Sequence, residues 1–323
     1  MEQAKQTRKK RSQFFDIWKR FKRNPLAMAG LVVIILLALL AAFAGVLAPG
    51  DGLNPGYDMQ SLINAFQAPS AEHIFGTDHL GRDQFNRIAH GSRITLTVGF
   101  IVVGISMTSG VALGAIAGFY GGVTDNLIMR LIDIILAVPT ILLAIAISAA
   151  QLFPSGLTNV MVAVGIGAIP GFARQARAQV LTIKGQEFVE AAHSCGAGDF
   201  RAITRHILPN CMAPIIVEAT MGMAGAIASA AALSFLGLGL QSPTPEWGAM
   251  LSDGRRFMLL GHWHMTLFPG LAIALIIFAL NLMGDGLRDA FDPRLRSASV
   301  SKKKFRRMQL ARMNAQTDNG GGR

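Results

Sequence analysis

Residues Ile94–Phe119 read ITLTVGFIVVGISMTSGVALGAIAGF, a run without a single Asp, Glu, Lys or Arg. About 30 Å of hydrocarbon is crossed by roughly 20 apolar residues at 1.5 Å each, so this run is long enough to span a bilayer as a helix. Lipid satisfies no backbone N–H or C=O, and the run is too long and too unalternating for a barrel strand. Working outward, comparable runs lie at Leu26–Ala48, Leu127–Leu152, Leu157–Ala173, Met212–Leu236 and Met265–Met283. The weakest is Leu157–Ala173, which Pro170 and Gly171 interrupt and which Arg174 and Arg177 follow. The expected fold class is all-α: a polytopic membrane protein with about six transmembrane helices.

Composition agrees. Apolar residues make up 51% of the chain and charged ones 15%, too few charges for a chain that keeps its whole surface in water. The net charge of +11 collects at the two ends, in Lys5, Arg8, Lys9, Lys10, Arg11, Lys19, Arg20, Lys22 and Arg23, and in Arg288, Arg294, Arg296, Lys302, Lys303, Lys304, Arg306, Arg307 and Arg312. Neither end carries the aromatic platforms that stack bases, so the cations are assigned to membrane lipid and not to nucleic acid. With the N-terminus inside, the outer loops hold only Arg82, Arg87, Arg255 and Arg256, and both termini face the cytoplasm. The longest inner connection then runs from Arg174 to Cys211. The first apolar run exceeds a signal-peptide core and reads as an uncleaved anchor. Cys195 and Cys211 fall on or near the reducing side and imply no disulfide.

Within the second run, Gly110, Gly114 and Gly118 share one helical face, with Gly104 upstream. Such a stripe serves close helix packing, or bares a groove along a path. The inner connection carries the sequence QEFVEAAHSCGAGDFRAITRHILP over residues 186–209. It parses as a helix over Glu187–Cys195, a left-handed closing residue at Gly196, a second helix capped by Asp199 and a stop at Pro209. Ala191 and Ala192 allow close approach, and Phe188 and Phe200 are apolar anchors among charges. A projecting amphipathic hairpin is a docking element.

Glu190, Ala191, Ala192, then Gly196, then Ile207-Leu208-Pro209 resemble the loop by which permeases of binding-protein-dependent ABC importers dock on their ATPases. His193, Ser194 and Cys195 depart from the blander helix formers of that pattern. Further stretches resemble the C-type permease of the dipeptide, oligopeptide and nickel group: Phe75–Asp78 with Gly81–Asp83, Gly121-Gly122 with Asp125 and Asn126, Pro209–Cys211, Phe235–Gly239, Pro243–Gly248 and Asn281–Asp289. The resemblance covers the chain from about Leu26 to Pro293. It implies the type I importer (MetI-like) fold, a homologous second permease, two ABC ATPases and an extracytoplasmic binding protein. It also implies a prokaryotic plasma membrane and transport of dipeptides or oligopeptides, with nickel chelates or glutathione as alternatives. The expected domains are a basic segment 1–25, a first helix with an outer segment 26–91, a transmembrane domain 92–290 with a coupling loop 174–211, and a basic tail 291–323. No Gly-x-x-x-x-Gly-Lys-Ser/Thr cradle occurs in the chain, so it is read as no enzyme and without a cofactor of its own; ATP and Mg²⁺ would be held by the partner ATPases.

Arg130 and Asp133 lie three apart and can pair on one helical face, and Glu218, Asn281 and Asp285 fall in the same half of the membrane. Together they are expected to form a polar layer between the hairpin and the gate; the bland alternative is a snorkelling Arg130 and ordinary helix-end residues. His262 and His264, without a nearby Cys or carboxylate pair, read as loop histidines and give no metal site. Gly76–Asp83 reads as a turn or an interface. An ion-gradient-driven transporter would show an inverted repeat or midplane acidic sites, and an intramembrane enzyme a nucleophile with its base; none is evident.

Overall fold

The computed structural model describes residues 13–52, 54–150, 152–154 and 156–292. The basic residues assigned to positions 1–12 and 293–323 lie outside that range. Apart from one isolated bridge between Thr77 and Asp83, the described residues are helical or irregular. Among the described residues five helices are long and apolar enough to cross a membrane, and a bent pair makes a sixth if counted as one broken span.

A short helix α1 (Gln13–Phe21) precedes α2 (Pro25–Leu47). Asn24 starts α2 by accepting from the backbone N–H groups of Leu26 and Ala27, and Pro25 follows where a missing N–H costs nothing. A 3₁₀ turn at Leu62–Asn64 interrupts an irregular segment that leads to α3 (Gln84–Tyr120). At 37 residues α3 is about 55 Å long, well beyond the hydrocarbon thickness.

The expected third span is broken. Its first half is α4 (Gly122–Ala137), its second α5 (Thr140–Ala149), and the two are bent by 86°. The cause is Pro139: Val138 before it is pushed into extended backbone (φ −90°, ψ 125°), which ends the helix. Conversely, the fourth span does not stop at Pro170. Helix α6 (Gly156–Ile183) passes through Pro170 and carries Arg174 and Arg177 as helical residues, so the connecting loop is far shorter than 174–211. A proline in a membrane helix is tolerated when neighbouring helices and local adjustment offset the lost bond, and Pro170 is buried against such neighbours.

The hairpin comprises α7 (Glu187–Ser194) and α8 (Asp199–Arg201). A π-helical turn, Ala202–Ile207, joins α8 without a gap to α9 (Leu208–Phe235). Pro209 therefore lies in the first turn of α9 and does not stop a helix, because a local π-helical adjustment directly before a proline offsets its missing N–H bond. The chain ends with α10 (Trp247–Met258) and α11 (His264–Phe291).

Packing centres on α3, α6 and α9, with α2 and α11 on one flank and α5 on another. The glycine stripe is a packing groove. A Cβ on Gly110 would meet Phe172 and the Ile169 carbonyl, one on Gly114 the Ala173 carbonyl and Ala176, and one on Gly118 the Arg177 carbonyl and Val180. Gly104 faces open space. Gly114→Val should thus lower stability by about 1–3 kcal/mol through overpacking. Gly104→Val should change it by less than about 0.5 kcal/mol, and thermal unfolding midpoints of the two variants in detergent check the contrast.

Candidate functional site

At the α7 end of the bundle, the hairpin is fixed by one buried residue and a left-handed turn. Val189 is 1% exposed and packs in a cluster with Val180, Ile183, Ile203 and Ile207. Gly196 takes φ 84°, the Gly196 N–H donates to the His193 carbonyl at 2.8 Å and the Ala197 N–H to the Ala192 carbonyl at 3.0 Å. This six-to-one and five-to-two pattern is a Schellman close, which suits glycine because the backbone is left-handed there. With Val189 inward, Glu187, Glu190, Ala191 and Ser194 form an exposed strip at spacings of three and four, and Ala192 is half-buried beside it. Phe200, at the start of the second arm, is 81% exposed.

Asp199 does not cap that arm. Gly198 is the cap residue and makes no side-chain bond, while Asp199 sits in the first turn, with its carboxylate 3.9 Å from His193 Nε2. A carboxylate there still favours the positive end of the helix, which explains its place without a cap bond.

The expected pairing of Arg130 with Asp133 is not made. Asp133 Oδ1 instead accepts from Arg174 Nη2 at 2.8 Å, both partners being exposed. Two further links run from α6. Arg177 meets Asp125 through two bonds, Nε to Oδ1 at 2.6 Å and Nη2 to Oδ2 at 2.5 Å, a fork-on-carboxylate geometry stronger than a single bond. Lys184 Nζ donates to the Gly118 carbonyl at 2.8 Å, satisfying an orphan acceptor at the end of α3. Arg174, Arg177 and Lys184 thus tie the lower half of α6 to α4 and α3, just before the chain enters α7.

The other members of the expected layer are scattered. Arg130 and Asp285 are exposed; Glu218 and Asn281 are half-buried on α9 and α11, with Glu218 beside Gly171. Asp125, Arg174, Arg177 and Lys184 were missed as site residues because their partnership crosses helices. The available signal was two acids eight apart on α4 and two cations three apart on α6.

At the opposite end, the Gly76–Asp83 stretch is a buried turn and not an open surface. Gly76 and Gly81 take φ 74° and 73°. Asp78 is 3% exposed and accepts from Arg82 Nε at 2.7 Å and from the Leu80 and Arg82 N–H groups, with Arg87 Nε 3.8 Å away. Arg82 also reaches Ser242 Oγ at 2.9 Å and Asp58 at 3.3 Å, so the cluster ties three loops to the start of α3. Glu246 caps α10 by accepting from Gly248 and Ala249, and Trp247 Nε1 donates to the Ile88 carbonyl at 3.1 Å. His264 Nε2 lies 2.9 Å from the Thr77 carbonyl and so donates to it, while the His262 ring stacks on Phe66. Among the described residues no group of three His, Cys, Asp or Glu converges as metal ligands.

Burial raises the pKa of Glu246, outweighing the backbone bonds and the Ser234 hydroxyl that lower it. A folded-state pKa above the unfolded value means that this group's contribution is complete below the unfolded pKa and is lost as pH rises through the folded one. The thermal midpoint of the parent minus that of Glu246→Gln should therefore fall as pH is raised from about 5 to 8. A difference that stays flat, or grows, would refute this.

The family described as "Binding-protein-dependent transport system inner membrane component" matches residues 110–297. This chain belongs to that family. A second family, "N-terminal TM domain of oligopeptide transport permease C", matches residues 12–69. The permease is 48% identical over 286 residues to the dipeptide transport system permease protein DppC of Alkalihalophilus pseudofirmus, covering 88% of this chain and 91% of that one. It is 47% identical, again over 286 residues, to the glutathione transport system permease protein GsiD of Escherichia coli O6:K15:H31, covering 88% of this chain and 92% of that protein. A solved inward-facing structure of the MetNI methionine ABC transporter aligns with a TM-score of 0.51 at 17% identity, over 64% of this permease and 97% of that chain, and shares its fold. The permease is thus a C-type, MetI-like subunit of the ABC importer family, a multi-pass membrane protein and not itself an enzyme.

Proposed function

We propose that this permease forms half of a path for dipeptides and is driven by two ABC ATPases, one of them docked on the α7–α8 hairpin. The observation that carries the docking reading is the exposed strip Glu187, Glu190, Ala191 and Ser194 beside Phe200: an apolar and acidic surface held rigid by buried Val189 and the Gly196 close. A homologous second permease completes the path, and an extracytoplasmic binding protein delivers the solute. ATP and Mg²⁺ are held by the ATPases, since this chain has no phosphate cradle. Both termini face the cytoplasm of a prokaryotic cell, an orientation supported by the Lys and Arg excess at the ends and in the connections on the hairpin side.

In this reading, ATP draws the two ATPases together, the hairpins follow, and the helices that carry them expose the path outward; hydrolysis resets the bundle. Arg174, Arg177 and Lys184 keep the lower part of α6 moving with α4 and the end of α3.

Dipeptide is the favoured cargo because a dipeptide permease is among the relatives at 48% identity, and glutathione is the second reading because of the relatives at 47%. Reconstitution with the co-expressed partners decides between them. ATP-dependent uptake of labelled dialanine, little affected by excess glutathione, supports the first reading; uptake of labelled glutathione without dialanine supports the second. Uptake of both solutes without ATP would overturn the ATPase-driven reading itself.

A further inference from the structure

Helix α1 buries one apolar face in the bundle and leaves a second about half exposed. Phe21 is 3% exposed and packs with Ala27 and Ala290, with Ile17 beside it, and Arg20 Nη1 donates toward the Ala290 carbonyl at 3.5 Å. The other face presents Phe15 and Trp18, 54% and 45% exposed, next to exposed Lys19, Lys22 and Arg23. Lys22 Nζ lies 4.9 Å from the Trp18 ring centroid, and the Trp18 ring stacks on Phe21 at 5.8 Å, so the indole is held in place while nearly half of it stays exposed.

Location adds a constraint. Three residues after α1, Pro25 begins the first span, and the Phe21 side chain packs at the last turn of α11, so α1 sits where two spans leave the membrane on the hairpin side. Leu26, the next exposed apolar residue, opens an outer surface of α2 that continues through Val32, Leu36 and Phe43. Partly exposed aromatics flanked by cations, level with a span's first residue, match the chemistry of a headgroup layer, where amphipathic rings and basic side chains are both favourable.

We propose that α1 is an interfacial helix that binds anionic phospholipid headgroups, with Phe15 and Trp18 in the headgroup–acyl boundary and Lys19, Lys22 and Arg23 on the phosphates. Because Phe21 and Arg20 fasten the opposite face to α2 and α11, the bound lipid becomes an anchor for the start of one span and the end of another. The side of the membrane rests on the orientation proposed above; the binding itself does not.

The test places the photoreactive residue p-benzoylphenylalanine at Trp18 in the complete assembly, in nanodiscs of phosphatidylcholine mixed with phosphatidylglycerol. The two leaflets of such a disc are alike, so failure here is separable from failure of the orientation or transport readings. Illumination and mass spectrometry should yield lipid adducts in which phosphatidylglycerol is enriched several-fold over its bulk share. Combined Lys19→Gln, Lys22→Gln and Arg23→Gln substitutions should bring the ratio back to bulk while leaving the thermal midpoint unchanged. Adducts on a partner-protein peptide, no lipid adduct, a bulk ratio in the parent, or enrichment that survives the triple substitution would each overturn the proposal. If the triple variant misfolds, the same ratio measured on the parent against rising salt, which screens the cations, takes its place: enrichment that persists overturns the proposal.

Discussion

Phe200→Ala is expected to purify as an intact membrane bundle that has lost most of its ATPase. An aromatic ring 81% exposed at the start of α8 gains little from its own chain, so truncating it leaves the fold unchanged. In a docked complex the same ring becomes a buried anchor, and removal of such an anchor costs about 2 kcal/mol or more, roughly thirtyfold in affinity. Co-purified ATPase and transport should fall together. Ile63→Ala, at a residue 95% exposed at the opposite end of the bundle, should change neither. Retention of ATPase by Phe200→Ala, or equal loss in Ile63→Ala, would rule out the assignment of the hairpin as the dock.

Charge reversal at Asp125 is the second large effect. Asp125→Arg sets two guanidinium groups against each other where a forked bond now stands, and like charges so placed cost several kcal/mol, which should reduce ATP-dependent uptake at least about tenfold. Adding Arg177→Asp reverses the pair and should recover a substantial part of the uptake, a coupling that neither single change predicts. The Arg174–Asp133 pair, with its side chains 57% and 49% exposed, should respond weakly in the same cycle. Uptake that is unaffected by Asp125→Arg, or unrescued by the double change, would remove the pair from the coupling path.

The spans themselves were legible, because about 20 apolar residues in a row have few other uses. The close at Gly196 was legible too, since the helix has to end before Asp199 and glycine alone adopts φ 84° without strain. Proline was the poorer guide. Pro139 breaks a span that hydropathy joins, whereas Pro170, Pro214 and Pro269 lie within helices, and the difference depends on packing that the local sequence does not encode. The Arg130–Asp133 pairing failed for a related reason. Spacing of three residues makes neighbours on an isolated helix, but Asp133 is claimed by Arg174 from α6, a partner 41 residues away. Asp78 and Arg82 were singled out as motif residues, and Arg87 only as an outer-loop cation, without their mutual contacts, which require the turn at Gly81 to be folded first.

Helix α6 is both a membrane span and a stalk. Its 28 residues make a rod about 42 Å long, some 10 Å longer than the hydrocarbon it crosses, and it runs as one helix to Ile183. In the cycle proposed above, such a helix serves as a lever pivoting within the membrane. In that cycle, a sideways displacement of about 5 Å at its lower end tilts such a rod by about 14° about a pivot near the middle, and a similar arc, reversed in direction, passes to the far end. Gly110, Gly114 and Gly118 seat α3 against α6 with almost no gap, so in that cycle the two helices would turn as one piece. The stroke of the proposed cycle would then be set by where that double rod pivots, a quantity that a single bulky residue in the groove would change for both helices at once.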